Sequence, residues 1–352
     1  MALRLAAGFL DREHSVDVAV FKATGVLIGQ LDPRARLVDL RGRRGVTAVP
    51  ALATHIVRSR PDVVLSFMTA ANGVAGLCEP IVRHLHRPVF VGSQRGWSSP
   101  VFGDMRTTLK GEIAYRAYRR GYRHLDGMVG VSEAVSQRVR ASRLLSPDRV
   151  FTLCNPVIDA GSTIVSDVNS QEHHPWAITV VAVGRLEEAK DHLTLVRAIS
   201  VLAPHHDIGL IIVGEGRQRG AVEAEALRLG VADRLRLTGY ADPRPFLHSA
   251  DLFALSSVRE GLPNALIEAM NIGLPIVSTE CPGGIGDLLD HGRLGRLVPV
   301  GDHQAFAAAI IDELLQPTGT AEDRRRVASG HTVERSTDEY LRLFDALELA
   351  RS

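Results

Sequence analysis

Short, nearly continuous apolar runs alternate with longer amphipathic stretches along the whole chain. In the first half, VDVAVF (16–21), DVVLSF (62–67), PVFVG (88–92) and GMVGV (127–131) read as strands. In the second half, AITVVAVG (177–184), IGLIIVG (208–214), RLRLTG (234–239), LFAL (252–255), PIVST (275–279) and GRLV (295–298) do the same. Runs that are apolar throughout, rather than at every second position, predict strands buried on both faces; helical stretches between them predict parallel sheets. The polar segment AGSTIVSDVNSQEHHP (160–175) breaks the rhythm and reads as a linker. The pattern therefore predicts two doubly wound α/β domains, 1–157 and 176–330, joined by a linker at 158–175. A final helix at 331–352 gathers Tyr340, Leu341, Leu343 and Phe344 on or near one face, which suits packing back on the first domain. Ligands of such domains bind beyond the carboxyl ends of the strands, so a cleft between the two is the expected site.

A chain of 352 residues is long enough for two cores. No apolar run reaches the roughly 18 residues a membrane span needs, and MALRLAAGFLDREH does not read as a signal peptide. Cys78, Cys154 and Cys281 are far apart and lack metal-site spacing, which fits a reducing cytoplasm. Charge is distributed unevenly. Residues 1–155 carry 23 Lys and Arg against 12 Asp and Glu, and residues 156–352 carry 18 against 28. A basic half suits a phosphorylated acceptor or peripheral contact with anionic lipid at the inner face of the membrane. Its arginines, at 34, 36, 41, 43 and 44 and at 116, 119, 120 and 123, equally describe a solvated surface. They are too little interleaved with aromatics to predict nucleic acid.

The most informative stretch is REGLPNALIEAM (259–270). Pro263 suits the first position of a helix running to about Asn271. The N–H groups and positive dipole end of that helix would face the turn at Gly261, which favours a phosphate. Glu260 precedes the turn, and Glu268 lies roughly 7–8 Å along the axis from Pro263. Two carboxylates that accept hydroxyl hydrogen bonds would then flank an anion site, the pattern of a nucleotide sugar. An amphipathic helix with solvated acids is the plain alternative. After the strand at 177–183, GRLEEAKDH brings Gly184, Arg185 and Lys190 to a strand end, where a fork and a point charge can neutralise a diphosphate. A surface loop would look the same. Lys190 is one of only three lysines, with Lys22 and Lys110. VGEGRQRG (213–220) has G-x-G-x-x-x-G spacing and no suitably placed acid, so it reads better as a strand-to-helix turn than as a dinucleotide fingerprint. LTGY (237–240) and STECPGGIGDLL (278–289) are two more strand ends suited to close contact with a base, a phosphate or a sugar.

Together these motifs resemble retaining glycosyltransferases of the GT-B fold, family 4 (glycosyl transferases group 1). The resemblance is carried by VAVGRLEEAKD, IIVGEG, LTGY, SSVREGLPNALIEAMNIGLPIVST and ECPGGIGDLL, and more weakly by PDVVLSFMTAAN, GVSEAVSQRV and Asn155–Val157. It implies two Rossmann-like domains facing across a cleft, and transfer of a hexose or N-acetylhexosamine from a nucleotide sugar, UDP above all, to a glycan or lipid-linked acceptor. By the same resemblance Arg185 and Lys190 hold the donor diphosphate. Glu260 contacts sugar hydroxyls, Glu268 the ribose. Amides after Gly261, near Asn264 and Ala265, hold phosphate or sugar, and Gly239 and Tyr240 lie near the base. A phosphate oxygen of the donor takes the acceptor proton, with Glu260 as covalent nucleophile a lower-ranked option. No D-x-D triplet occurs, so no metal or other cofactor is expected.

The chain departs from the family pattern in two places. It starts inside what is usually the first helix, so the first domain is expected to lack its first strand. Where many members carry a catalytic-region histidine, it reads VGSQRGWSS, with Gln94 and Arg95; His14, His55, His84 and His86 suit surface or packing positions. Two other readings share the donor site: a GT-B nucleotide-sugar epimerase, and a truncated remnant that binds a nucleotide sugar without transferring it.

Overall fold

The computed structural model describes residues 1–41, 45–97, 109–159 and 174–351. Of the expected linker, residues 160–173 lie outside these, as do Arg43 and Arg44 of the first basic cluster. The chain divides into two units, Met1–Pro156 with Thr332–Ser352, and Val157–His331.

The second unit is a six-stranded parallel sheet. Its strands are β7 (Ile178–Val183), β8 (Ile208–Val213), β9 (Leu235–Gly239), β10 (Leu252–Leu255), β11 (Ile276–Thr279) and β12 (Arg296–Val298), in the order β12-β11-β10-β7-β8-β9. Alternation along the central strands feeds two cores, while the edge strand β9 sends only Leu235 and Leu237 into one of them. Val180, Ala182, Leu210 and Ile212 enter one cluster; Val181, Val183, Ile211 and Val213 enter the other. Both faces are therefore apolar and both are covered by helices, which is why the strands read as unbroken apolar runs. From β7 the chain winds one way through β8 and β9, then returns to the other side of β7 with β10. The crevice beyond β7 and β10 is the topological switch point, where open α/β sheets bind ligands.

The first unit holds a four-stranded parallel sheet, β3 (Val63–Phe67), β4 (Val89–Gln94), β5 (Gly127–Gly130) and β6 (Val150–Thr152), and a separate parallel pair, β1 (Asp17–Val20) with β2 (Arg36–Asp39). The first domain thus carries its sheet in two parts, with no described strand bridging β1 and β3. The C-terminal helix Val333–Leu349 packs Tyr340, Leu343 and Phe344 against Val89, Val91, Val129 and Leu5. Its end is tied by Arg351, which donates to Asp126, the carboxylate that also accepts from the Phe90 amide at 2.8 Å.

Two strands were not anticipated. β2 is mostly solvent-facing and carries Arg36 and Asp39, and β6 is three residues long; neither makes an apolar run. Pro263 is also not the first helical residue. The helix is Asn264–Ile272, and Pro263 is its N-cap with ψ 101°, one position outside, because the chain leaves the Gly261 turn extended.

Close glycine packing joins two helices of the first unit, Thr69–Val82 and Leu109–Tyr122. A Cβ on Gly76 would lie 2.0 Å from the Gly121 carbonyl oxygen, and one on Gly121 would lie 2.1 Å from that of Gly73. Gly76→Ala must push the helices apart and should lower stability by about 1–3 kcal/mol. An unchanged urea midpoint would show that the helices do not touch there.

Candidate active site

The segment after β7 and the segment after β10 meet at the switch point. Residues Glu188–Lys190 form a single 3-10 turn, Asp191 adopts the left-handed conformation (φ 44°), and the helix His192–Leu202 begins. Two backbone-anchored contacts hold this turn to the other loop: Val258 N–H donates to the Ala189 carbonyl at 2.9 Å, and Ser256 Oγ to the Lys190 carbonyl at 2.8 Å. The Lys190 ammonium then reaches Glu260 and donates to Oε1, which also accepts from Ser257 Oγ at 2.7 Å. Glu260 Oε2 has no hydrogen bond among the described residues. The Glu260 side chain is 11% exposed and that of Lys190 23%, so the pair is largely desolvated and each charge holds the other.

The loop carrying Glu260 is fixed by the one after β11. Glu260 N–H donates to the Pro282 carbonyl at 3.0 Å, and Gly284 N–H to that of Gly261 at 3.1 Å. Gly283 has φ 131°, and a Cβ there would sit 1.7 Å from the Glu260 carbonyl oxygen. Only glycine allows this approach. Cys281 beside it is an inert thiol: burial, and then the Glu260 charge, push it up to about 12.

Beyond Glu260, the helix Asn264–Ile272 aims its first turn at the same loop, with Asn264 and Ala265 half-buried. Its other end is held by cations. Arg324, 3% exposed, donates to the Gly273 carbonyl at 3.3 Å, and Arg325 to that of Ile272 at 2.9 Å. Cations on the last carbonyls suit the negative dipole end.

The remaining expected residues are placed less tightly. Gly184 accepts close contact from β8: a Cβ on Gly214 would lie 1.9 Å from its carbonyl oxygen. A Cβ on Gly216 would lie 2.3 Å from the Leu186 carbonyl oxygen, so close packing accounts for both glycines of VGEG in a strand-to-helix turn. Arg185 is 82% exposed and only 4.0 Å from Glu187, so it projects into solvent instead of joining the Lys190–Glu260 pair. Gly239 has φ 74° and Tyr240 is 73% exposed, at the end of β9. Glu268 lies on the helix, and its charge acts on Arg244.

Two residues were missed in the sequence. Ser257, three before Glu260, orients that carboxylate. His192 is 5% exposed and packs behind the Lys190 turn, with neither ring nitrogen making a well-formed hydrogen bond. Burial, and then the Lys190 charge, pull it down to about 4; weak contact with the backbone of Arg185 and Gly184 opposes this only in part. The sequence signal was the D-H pair closing GRLEEAKDH, which periodicity assigns simply to a helix start.

Because the unfolded chain binds the His192 proton near pH 6.5 and the folded chain only near 4, stability is full above about 6.5 and falls as pH drops toward 4. The loss should approach about 3 kcal/mol, and His192→Gln should largely abolish it. Parallel pH dependences of the urea midpoint in both proteins would refute this. For the nucleotide donor that the motif resemblance implies, Gly283→Ala should displace the Glu260 backbone and weaken binding tenfold or more, read by calorimetry with UDP. Wild-type affinity would mean that the loop contact has no bearing on the site.

Comparison with known proteins bears on the fold and the family. Residues 177–316 match the model of glycosyl transferases group 1, and residues 1–160 that of Glycosyltransferase Family 4. The lipopolysaccharide core biosynthesis glycosyltransferase LpsE of Rhizobium meliloti is 30% identical over 63% of this chain and 65% of its own length. An N-acetylgalactosaminyltransferase of Campylobacter jejuni, named for a diphospho-undecaprenol acceptor, is 30% identical over 36% of this chain and 34% of its own. The matched region therefore spans less than two thirds of these relatives. Among solved structures, Anabaena HepE in complex with UDP superposes with a TM-score of 0.80 at 19% identity, over 98% of this chain and 95% of that one. The lipopolysaccharide outer core galactosyltransferase WaaB gives 0.66 at 15%, over 96% and 90%. Each unit of this chain thus matches a glycosyltransferase family model over most of its length, and the fold is GT-B.

Proposed function

We propose that the protein is a retaining glycosyltransferase that moves a hexose or N-acetylhexosamine from a UDP-sugar to a glycan or lipid-linked acceptor. The observation that carries this reading is the Lys190–Glu260 pair at the switch point of the second unit, beside the first turn of the Asn264–Ile272 helix. A cation, a carboxylate and helix N–H groups in one crevice match a phosphate with a hydroxylated sugar attached.

In this reading the donor diphosphate takes Lys190 as counter-ion, which frees Glu260 to accept hydrogen bonds from the sugar hydroxyls. Arg185, exposed beside the crevice loops, folds onto the diphosphate from the solvent side. The amides near Gly261, Asn264 and Ala265 face the same phosphates. Tyr240, exposed beside Gly239, offers a face for the base, and Glu268 is near enough to the helix start to accept from the ribose. The bond from the anomeric carbon to the phosphate oxygen breaks, and the acceptor oxygen bonds to that carbon on the same face. The acceptor proton passes to the departing diphosphate, so no protein nucleophile and no metal is needed. Lys190, Arg185 and the helix N-terminus stabilise the charge that develops on the leaving group. Use of a nucleotide sugar implies the cytoplasm, and the surplus of basic residues over 1–155 supports an acceptor that carries negative charge or is presented at an anionic membrane surface. Relatives named for lipopolysaccharide core and diphospho-undecaprenol substrates support the acceptor class.

Turnover of a UDP-sugar panel, with and without lipid-linked and oligosaccharide acceptors, tests the reading through UDP release and anomeric configuration. Lys190→Ala should lower kcat/KM by about 10²–10³, whereas Lys22→Ala, an exposed lysine of the first unit, should stay within about twofold. Equal effects of the two substitutions would remove Lys190 from the site. Turnover that needs no acceptor would indicate an epimerase instead.

A further inference from the structure

Away from the Lys190–Glu260 crevice, the first unit holds an unsatisfied polar arrangement at Arg95. It follows β4 directly, Phe67 ends the neighbouring β3, and Asn155 follows β6, so all three stand at the carboxyl edge of one parallel sheet. Arg95 Nη2 donates to Asn155 Oδ1 at 2.7 Å, and its Cζ lies 5.9 Å from the centre of the Phe67 ring. Nη1 is shut off from water and has no partner among the described residues. No carboxylate lies within ion-pair distance among the described residues; only the buried Tyr340 hydroxyl faces the charge. Other arginines of this unit differ: Arg12 pairs with Asp338, Arg140 with Glu133 and Arg351 with Asp126. Gln94, 3% exposed, repeats the theme: its Nε2 donates to the Gly96 carbonyl at 3.1 Å, and its Oε1 has no partner.

A partly desolvated guanidinium without a counter-ion among the described residues is unfavourable, and burial pulls Arg95 down to about 10, still protonated at neutral pH. Unmet charge at the carboxyl edge of a parallel sheet is an arrangement that a ligand completes. One arm of the fork is pinned by Asn155 and the other is unused, which leaves the planar guanidinium oriented for an oxygen anion. The unused acceptor on Gln94, the next residue, suits a hydroxyl beside that anion. Arg95 itself keeps part of its surface exposed, so a small swing of the fork brings Nη1 to an approaching ligand.

We propose that Arg95, with Gln94 and Asn155, forms an oxyanion subsite that holds a phosphate or carboxylate of the acceptor. The acceptor's identity as a transferase substrate rests on the function proposed above; anion binding in this unit does not. The surplus of basic residues over 1–155 would draw such an acceptor to this unit.

Thermal melting with UDP at saturating concentration, to occupy the donor crevice, tests the subsite with inorganic phosphate and sodium acetate as probes at constant ionic strength. Wild-type protein should show a saturable rise in Tm with at least one probe; phosphate alone identifies a phosphorylated acceptor, acetate alone a carboxylated one. Arg95→Met should weaken that response tenfold or more, and Arg95→Lys, which keeps the charge but not the fork, should fall between. Without probe, Arg95→Met should melt at or above the wild-type temperature, because an uncompensated charge is gone. A lower Tm would make Arg95 a structural residue and overturn the proposal. So would no response to either probe, or equal responses in wild type and Arg95→Met. UDP binding should be unchanged in all variants. Its loss in wild type would sink the donor reading without touching the anion result.

Discussion

Parallel strands that wind in opposite directions from one central pair impose a constraint no side chain can relieve: the loops leaving β7 and β10 run to helices on opposite faces of the sheet and leave a crevice between them. In this protein that crevice is spanned by backbone contacts first. The Ala189 and Lys190 carbonyls are tied to Val258 and Ser256, and only then does an ammonium reach a carboxylate across the join. The Lys190–Glu260 pair is thus a product of sheet topology, with the Pro282–Gly284 segment fixing the carboxylate from behind.

Charges are accommodated differently in the two units. In the second, buried charge is matched. Lys190 faces Glu260, and Arg324 and Arg325 close the end of the site helix by donating to its last carbonyls. Even His192, which finds no good partner, is kept neutral by burial and by the neighbouring ammonium. In the first unit Arg95 is a largely enclosed cation with no acid beside it among the described residues. Such an imbalance is tolerated where binding, not folding, supplies the missing partner.

Much of the fold was legible because burial on both faces leaves an unmistakable mark. Ten of the strands appear as apolar runs, and their bounds shift by only one or two residues in the structure. β2 and β6 were not legible, one because it faces solvent with Arg36 and Asp39, the other because three residues cannot display a period. At the site, the sequence brought Lys190 and Glu260 forward through their strand-end loops. It could not distinguish Arg185, which projects into solvent, from Lys190, which turns inward, since both follow the same strand. Ser257 and His192 were passed over because their roles depend on what lies against them.

What the chain determined by itself was its element content and the residue types gathered at strand ends, because periodicity, glycine and proline act locally. Which of those residues share a crevice was decided by strand order, a property of contacts far apart in sequence: Lys190 and Glu260 are brought together across 70 residues. The same holds for Arg95 and Asn155, 60 residues apart. Desolvation completes the distinction, for a charge is costly only once the rest of the fold has removed its water.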